Sequence, residues 1–540
     1  MWARATGGIL PGTGTPENPY LVSDYADLAN MATYSERATY RLVADIDASP
    51  SDTANADSGF RPIQLRGSLH GGGHVIRNLS IRGYVASCGL FSILFDSSIV
   101  DSLGLEGGSI SCGSEWVGAL VGLHHGSVIA CHSTINVTAD SGANIVGGLV
   151  GYSTGLVQSS WSSGSVVADT STVVGGLVGH NYQGIVRSSH STGNVSSKGV
   201  FTGGLIGIAN DRGIVDSCHA TGDVTSTNQS ARLGGLVGFN AGTIRASYAS
   251  GAPSFHTGGG SPKIGGLVGE GILNDTVEDC YATGSVDATS QAGGLYGTSQ
   301  GGLILRCYAT GSVVVSDDNA VAGGLVGGSY RSNVLNCYAT GSVTGQANTS
   351  LGGLLGLNTG IVDTSYSTGR IVGGISKEIG ALVGNNDSLI SRSYWNTESS
   401  GQGAGVGSAF LGDIGIGLSS AQMQVAANFA GWDFQNTWIL QSGDAAPRLR
   451  SLAASYGPSS VEASPVRRSV PYSWILARKR LTISVPGRSF QAVAVDLSGR
   501  VLAHASGAGT ASMDLSSSQT FLVSVRSSDL HESFSVSAVR

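Results

Sequence analysis

The stretch Ile264-Gly-Gly-Leu-Val-Gly269, followed by Val277-Glu-Asp-Cys-Tyr281-Ala-Thr-Gly-Ser-Val286, is one copy of a phrase pair that decides the fold. Its first half, Gly-Gly-Leu-Val-Gly or a near copy, occurs ten times between Gly118 and Gly384, at spacings of 28 to 31 residues. A fixed period in this range marks a solenoid or a propeller, in which each unit buries its apolar face only against its neighbours. Each copy carries two or three short β-branched segments separated by turn residues, as in Thr172-Val-Val-Gly-Gly-Leu-Val-Gly179 with Asn181 and Gly184 behind it. A propeller blade needs four antiparallel strands and about 40 residues or more, so the coil of a parallel β-helix fits the period better.

Stacking coil on coil predicts an internal ladder of Leu120, Leu149, Leu177, Leu205, Leu236, Leu267, Leu295, Leu325, Leu354 and Leu382. Each buried Leu contributes about 1.5–3 kcal/mol against a backbone ordering cost of about 1–2 kcal/mol per residue, so one repeat cannot fold alone and a stack can. The Gly pair before each Leu reads as a bend or a close backbone approach.

In the second half of the phrase one slot holds Cys131, Cys218, Cys280, Cys307 and Cys337, and elsewhere Ser160, Ser189, Ser247, Ser365 and Ser393. Free exchange of Cys with Ser asks for a small inward side chain and not for sulfur chemistry. The chain has no Cys-x-x-Cys, and its cysteine spacing fits no zinc site. The next slot holds His132, Trp161, His190, His219, Tyr248, Tyr281, Tyr308, Tyr338, Tyr366 and Tyr394. If this aromatic row points inward it is core or edge packing; if outward, Trp161, Tyr248, Tyr281, Tyr308, Tyr338 and Tyr366 are candidate platforms for sugar binding.

Composition agrees with an exported rod. Charged residues are 12% of the chain, about half the usual share. The surface is therefore dressed with Ser, Thr, Asn and Gly. A net charge of -7 gives no reason to expect a nucleic acid or an anionic membrane as partner. No apolar run approaches the roughly 20 residues of a membrane span. The N-terminus lacks the apolar core of a signal peptide, and the expectation is that such a signal has been removed or lies unannotated upstream.

The expected architecture is all-β: a right-handed parallel β-helix of about ten coils with capped ends, followed by a small β-sandwich. Residues 1–115 read as an N-terminal cap with irregular first coils and a helix capped by Ser23. Residues 116–395 form the repeat, and 396–450 a C-terminal cap with Trp432, Phe434 and Trp438 as lids. Residues 451–472 read as a linker and 473–540 as the sandwich.

At this level the residues resemble a known family. Gly-Gly-Leu-Val-Gly with Tyr-Ala-Thr-Gly-Ser-Val is similar to the GLUG repeat of bacterial surface and secreted proteins, among them some adhesins and the non-catalytic part of IgA-cleaving peptidases. The flanks Gly14-Thr-Pro-Glu-Asn-Pro-Tyr-Leu-Val22, Ser393-Tyr-Trp-Asn396 and Phe429-Ala-Gly-Trp-Asp-Phe434 match that family's usual borders. The resemblance spans about residues 7 to 450, implies an exported module, and transfers no catalytic residue. In the tail, Val495-Asp-Leu-Ser-Gly-Arg-Val501 resembles the core of type IX secretion sorting domains, which implies secretion machinery as a partner.

Acid–base or metal chemistry on a β-helix would need clustered carboxylates. Asp216, Glu278, Asp279, Asp317, Asp318 and Asp363 fall at variable repeat positions and read as a solvated face. His132, His190 and His219 belong to the aromatic row, and His124-His125 lacks a His-Glu-x-x-His partner. No catalytic, cofactor or metal residue is expected. The function these features favour is a non-enzymatic, extracellular or cell-surface rod, adhesin-like or matrix- and carbohydrate-binding, with a polysaccharide, surface glycan or protein as partner. The alternative is a polysaccharide lyase or glycoside hydrolase whose site is assembled across coils.

Overall fold

The computed structural model describes residues 10–33, 37–83, 86–140, 142–169, 171–257, 259–272, 275–376, 378–409 and 415–452, and the backbone of five strands between 473 and 536. The chain divides into two compact units, residues 1–456 and 457–540.

The first unit is a parallel β-solenoid. One coil consists of the strands Val173–Gly175, Val178–Tyr182, Ile185–Arg187, His190–Ser191 and Val195–Ser197. Every strand pairs in parallel with its counterpart one coil on, Val173 with Phe201, Val178 with Ile206, Ile185 with Ile214, His190 with His219 and Val195 with Val224. The first three series build sheets of 11, 13 and 14 strands, and the last two share one 23-stranded sheet, called here the broad face. Two or three strands per coil were expected; the coil has five because tight corners interrupt the chain every few residues.

The first corner is the Gly-Gly-Leu turn. A Cβ on Gly147 would lie 2.0 Å from the Val150 carbonyl oxygen, and one on Gly148 would lie 2.1 Å from the Gly176 oxygen of the next coil. Close approach, and not a positive φ, therefore requires these glycines. The backbone folded this tightly turns Leu inward: all ten ladder leucines are fully buried. Their amides bond the next leucine's carbonyl, as from Leu149 to Leu177 and from Leu236 to Leu267, both 2.9 Å.

A second corner precedes the Cys/Ser slot. The residue before it is left-handed in all ten copies although none is Gly, for example Ala130 (φ 53°), Ser188 (φ 49°) and Arg306 (φ 51°). That conformation is unfavourable for most L-residues. Here it turns the residue's N–H onto the next coil, as from Ala130 to the Gln158 carbonyl at 2.9 Å. The slot side chain then accepts the following amide of the previous coil, the Cys131 N–H donating to Ser160 Oγ at 3.1 Å and the Cys307 N–H to Cys337 Sγ at 3.4 Å. Hydroxyl and thiol both complete this bond, so they interchange. All five slot cysteines are buried and free. The two outside the slot, Cys88 and Cys112, form a disulfide that staples an early coil.

Parallel pairing continues upstream of the repeat phrases through Ile99–Asp101, Ser68–His70 and Thr39–Leu42 to Tyr20–Val22. The N-terminal helix is Tyr25–Asn30, and its cap is Asp24, which accepts from the Asp27 amide, one residue beyond the expected Ser23. At the other end Ser419 and Gln422 form a capping box on the short helix Ser420–Met423.

In the second unit Ser473–Ala477, Arg480–Asp496, Val501–Asp514, Phe521–Ser527 and Leu530–Val536 make one five-stranded antiparallel sheet. Residues 497–500, at the centre of the sorting-domain resemblance, and the linker residues 453–472 lie outside the described residues.

Candidate functional site

Strand alternation settles which way the aromatic row points. Cys131 and Ser133 are buried inside the coil, so His132 between them points out of the broad face. The rest of the row does the same, and from His132 to Tyr366 the rings form one stack along the rod. His190 lies 4.6 Å from His219, His219 4.8 Å from Tyr248, Tyr248 4.8 Å from Tyr281 and Tyr281 4.9 Å from Tyr308, with interplanar angles of 4° or less. Trp161 stacks between His132 at 4.4 Å and His190 at 5.9 Å. Each ring face is covered by the next ring, and what the row turns outward is edges, imidazole nitrogens and phenol oxygens. Burial and the neighbouring imidazole lower the pKa of His219 to about 4, and burial lowers that of His190 too, so at neutral pH these two stack uncharged.

The six residues singled out from sequence part into two groups. Trp161, Tyr248 and Tyr281 are half-buried, whereas Tyr308, Tyr338 and Tyr366 are each only 2% exposed. The chain's own segment 418–452 covers the latter. Trp432, Phe434 and Trp438, expected as lids on the rod's end, lie instead along its side. Trp432 Nε1 donates to the Arg392 carbonyl at 2.9 Å, Trp438 Nε1 to Asn336 Oδ1 at 3.3 Å, and Ser451 Oγ to Asp279 Oδ1 at 2.7 Å. Tyr308, Tyr338, Tyr366 and Tyr394 with Met423, Phe429, Trp432, Trp438 and Leu449 form a second hydrophobic core outside the solenoid, and we call this covering segment the clasp.

Between the clasp and the broad face lies a groove of about 400 Å³. Its floor is the threonine column two residues beyond the aromatic row, Thr310, Thr340 and Thr368. Tyr338 also lines it, and its hydroxyl, itself buried, has no hydrogen-bond partner among the described residues. On the clasp side stand Gln424, Ala445, Ala446 and the pair Asp444–Arg448, joined at 2.9 Å. Sequence reading missed this site because at least 50 residues separate the clasp from the column; the signal available was the cluster of three tryptophan and phenylalanine residues after a run of tyrosines.

Four of the six candidate acids are engaged in ion pairs between coils. Asp216 pairs with Arg245 at 2.9 Å, and Asp363 with Arg392. Glu278 and Asp279 both hold Arg306, which raises the Arg306 guanidinium further. Asp317 and Asp318 sit in a turn after Val313–Val315. Buried His124 bonds Ser153 Oγ through Nδ1 at 2.8 Å, and burial holds it neutral with its pKa lowered to about 3. Asp275, 2% exposed, receives the Tyr296 hydroxyl and Asn240 Nδ2, and burial pushes its carboxyl up to about 7. Among the described residues no group of three or more His, Cys, Asp or Glu is placed to hold a metal ion.

These coils and their outward columns define a parallel β-solenoid whose side chains are spent mainly on stacking. The repeat carries the GLUG motif, matched at residues 170–196 and 318–344. Over 145 residues, 25% of the chain, it is 39% identical to Halomucin of Haloquadratum walsbyi, a match that spans 2% of that protein. Over 132 residues, 22% of the chain, it is 33% identical to a candidate Gly-rich membrane protein of Evansella cellulosilytica, spanning 14% of that protein. The chain thus spans a small part of the length of these relatives. A solved structure of a candidate immunoglobulin A1 protease from Bacteroides ovatus aligns over 82% of this chain and 94% of its own at 16% identity, with a TM-score of 0.30. Among the described residues no helix is long and apolar enough to cross a membrane.

Proposed function

We infer that the protein is a non-enzymatic, extracellular or cell-surface β-solenoid that acts as an adhesin-like or matrix module and binds carbohydrate. The observation that supports this most is the broad face. Its outward columns are aromatic edges and hydroxyls repeated coil after coil, a surface suited to polyhydroxylated partners and poor in net charge. The names Halomucin and Gly-rich membrane protein fit a surface setting. The C-terminal antiparallel unit is the part that secretion machinery would engage. Sedimentation of the purified chain with insoluble cellulose, chitin and β-1,3-glucan, and affinity electrophoresis through soluble α- and β-glucans, mannan and pectin, test the carbohydrate reading. Retention by at least one polymer is expected, and passage through all of them unretained sinks it.

The alternative is a carbohydrate-active enzyme. The two adjacent carboxylates of Glu278 and Asp279 beside Arg306 favour it. Against it, Arg306 engages both carboxylates, and Asp279 also accepts from Ser451 of the clasp.

A further inference from the structure

We propose that the groove between the clasp and the threonine column is a binding site for a short, neutral oligosaccharide of about two or three pyranose units. This deepens the carbohydrate-binding reading and rests on it. The volume of about 400 Å³ falls within the range of small-ligand sites and admits a segment of that size. Thr310, Thr340 and Thr368 stand on successive coils, so their hydroxyls repeat at the strand spacing and span roughly 10 Å, about the length of two linked pyranoses. A row of hydroxyls at this interval gives each sugar unit a group that can donate or accept.

The unpartnered Tyr338 hydroxyl carries the assignment furthest. A buried hydroxyl without a partner forfeits hydrogen bonding that water would supply, and a ligand hydroxyl in the groove restores it. The rest of the lining selects the chemistry. Arg448 and Asp444 neutralise each other across 2.9 Å, which disfavours an anionic or cationic ligand. The floor presents side chains, and its backbone groups bond from coil to coil, as from the Thr340 amide to the Ala309 carbonyl at 3.0 Å. An extended peptide would find no free strand edge there. Ala445 and Ala446 supply apolar surface for the C–H faces of a sugar.

The test is isothermal titration of the full chain with cellotriose, maltotriose, laminaritriose, mannotriose and chitotriose. It is repeated for Tyr338→Phe, Thr340→Val and, as a control away from the broad face, Tyr152→Phe on the 13-stranded sheet. Binding of at least one trisaccharide is expected, weakened about five- to tenfold by Tyr338→Phe and by Thr340→Val and unchanged by Tyr152→Phe. Unchanged melting temperatures of both groove variants exclude a folding defect, since each removes one hydroxyl. Trisaccharide binding that the groove variants leave intact overturns the site while the carbohydrate reading stands. No trisaccharide binding overturns the site as well, and only if the polymers also pass unretained does the wider reading fall with it.

Discussion

At the scale of single residues, the side chains that build the rod are distinct from those that face outward from it. Leu236 sits mid-ladder at zero exposure, so Leu236→Asp places an unpaired carboxylate in a dry stack and should cost about 4 kcal/mol or more. Thermal unfolding checks it, and an unchanged midpoint contradicts an inward ladder. Cys280→Ser should stay within about 1 kcal/mol of the parent, because Ser already fills this slot in half of the coils and makes the same amide bond. Asp275 gives a pH signature. Its folded-state pKa is raised to about 7 from 3.8, so the folded chain holds a proton that the unfolded chain loses, and stability falls as pH rises from about 4 to 7. Asp275→Asn should therefore raise the melting temperature at pH 8, by a few kcal/mol of stability, and change it little at pH 4.5. The slot logic of Leu, Cys/Ser and aromatic was legible in the sequence because stacking imposes it on every copy. The left-handed residue before the slot was not, since Ala, Ser, Asp, Arg, Asn and Thr all occupy it and the strain is compensated by inter-coil bonds that composition does not display.

At the scale of elements, the histidine section and the clasp behave differently. His219 has its pKa lowered to about 4 from 6.5, so the unfolded chain binds the extra proton, and stability present above pH 6.5 is lost as pH falls toward 4. His219→Tyr, the residue its column uses in the next coils, should flatten this acid limb by about 1–2 kcal/mol at pH 4.5, after discounting for partial exposure. Melts of the two proteins from pH 4 to 8 read it directly, and parallel curves would refute the neutral stack. For the clasp, Trp438 is fully buried against Tyr338 and Tyr366 at 6.2 and 6.1 Å. Trp438→Ala should cost about 3–5 kcal/mol of clasp docking and open the groove's far wall. Limited proteolysis within 418–452 is the check, and equal cleavage rates would count against the clasp. The sequence announced this segment's aromatic content but not its direction. Its partners are the Tyr338 and Tyr366 rings some 70 to 100 residues upstream, and no local pattern distinguishes lying over an end from lying along a side.

At the scale of the whole molecule, a solenoid whose coils exchange only nearest-neighbour bonds should tolerate loss of one coil. Excising residues 175–202 joins Val174 to Gly203 at equivalent positions of adjacent coils and brings Trp161 beside His219. The product should fold with an unchanged circular-dichroism band shape and a modestly lower midpoint, whereas collapse of the fold would show that the coils are not interchangeable. The coil fold was legible throughout residues 116–395, where the period recurs. Upstream, the same parallel pairing runs on to Tyr20–Val22 beneath a sequence that has lost the phrase, since the sheet needs only a short apolar strand in register and not the glycine corner. The central functional claim is that this surface binds without doing chemistry. Its most direct test is incubation with the polysaccharides that retain the protein, reading new reducing ends and the absorbance of unsaturated uronates over a day. The account predicts retention with neither signal above a buffer control; a rise in either that Glu278→Gln or Asp279→Asn abolishes would contradict it.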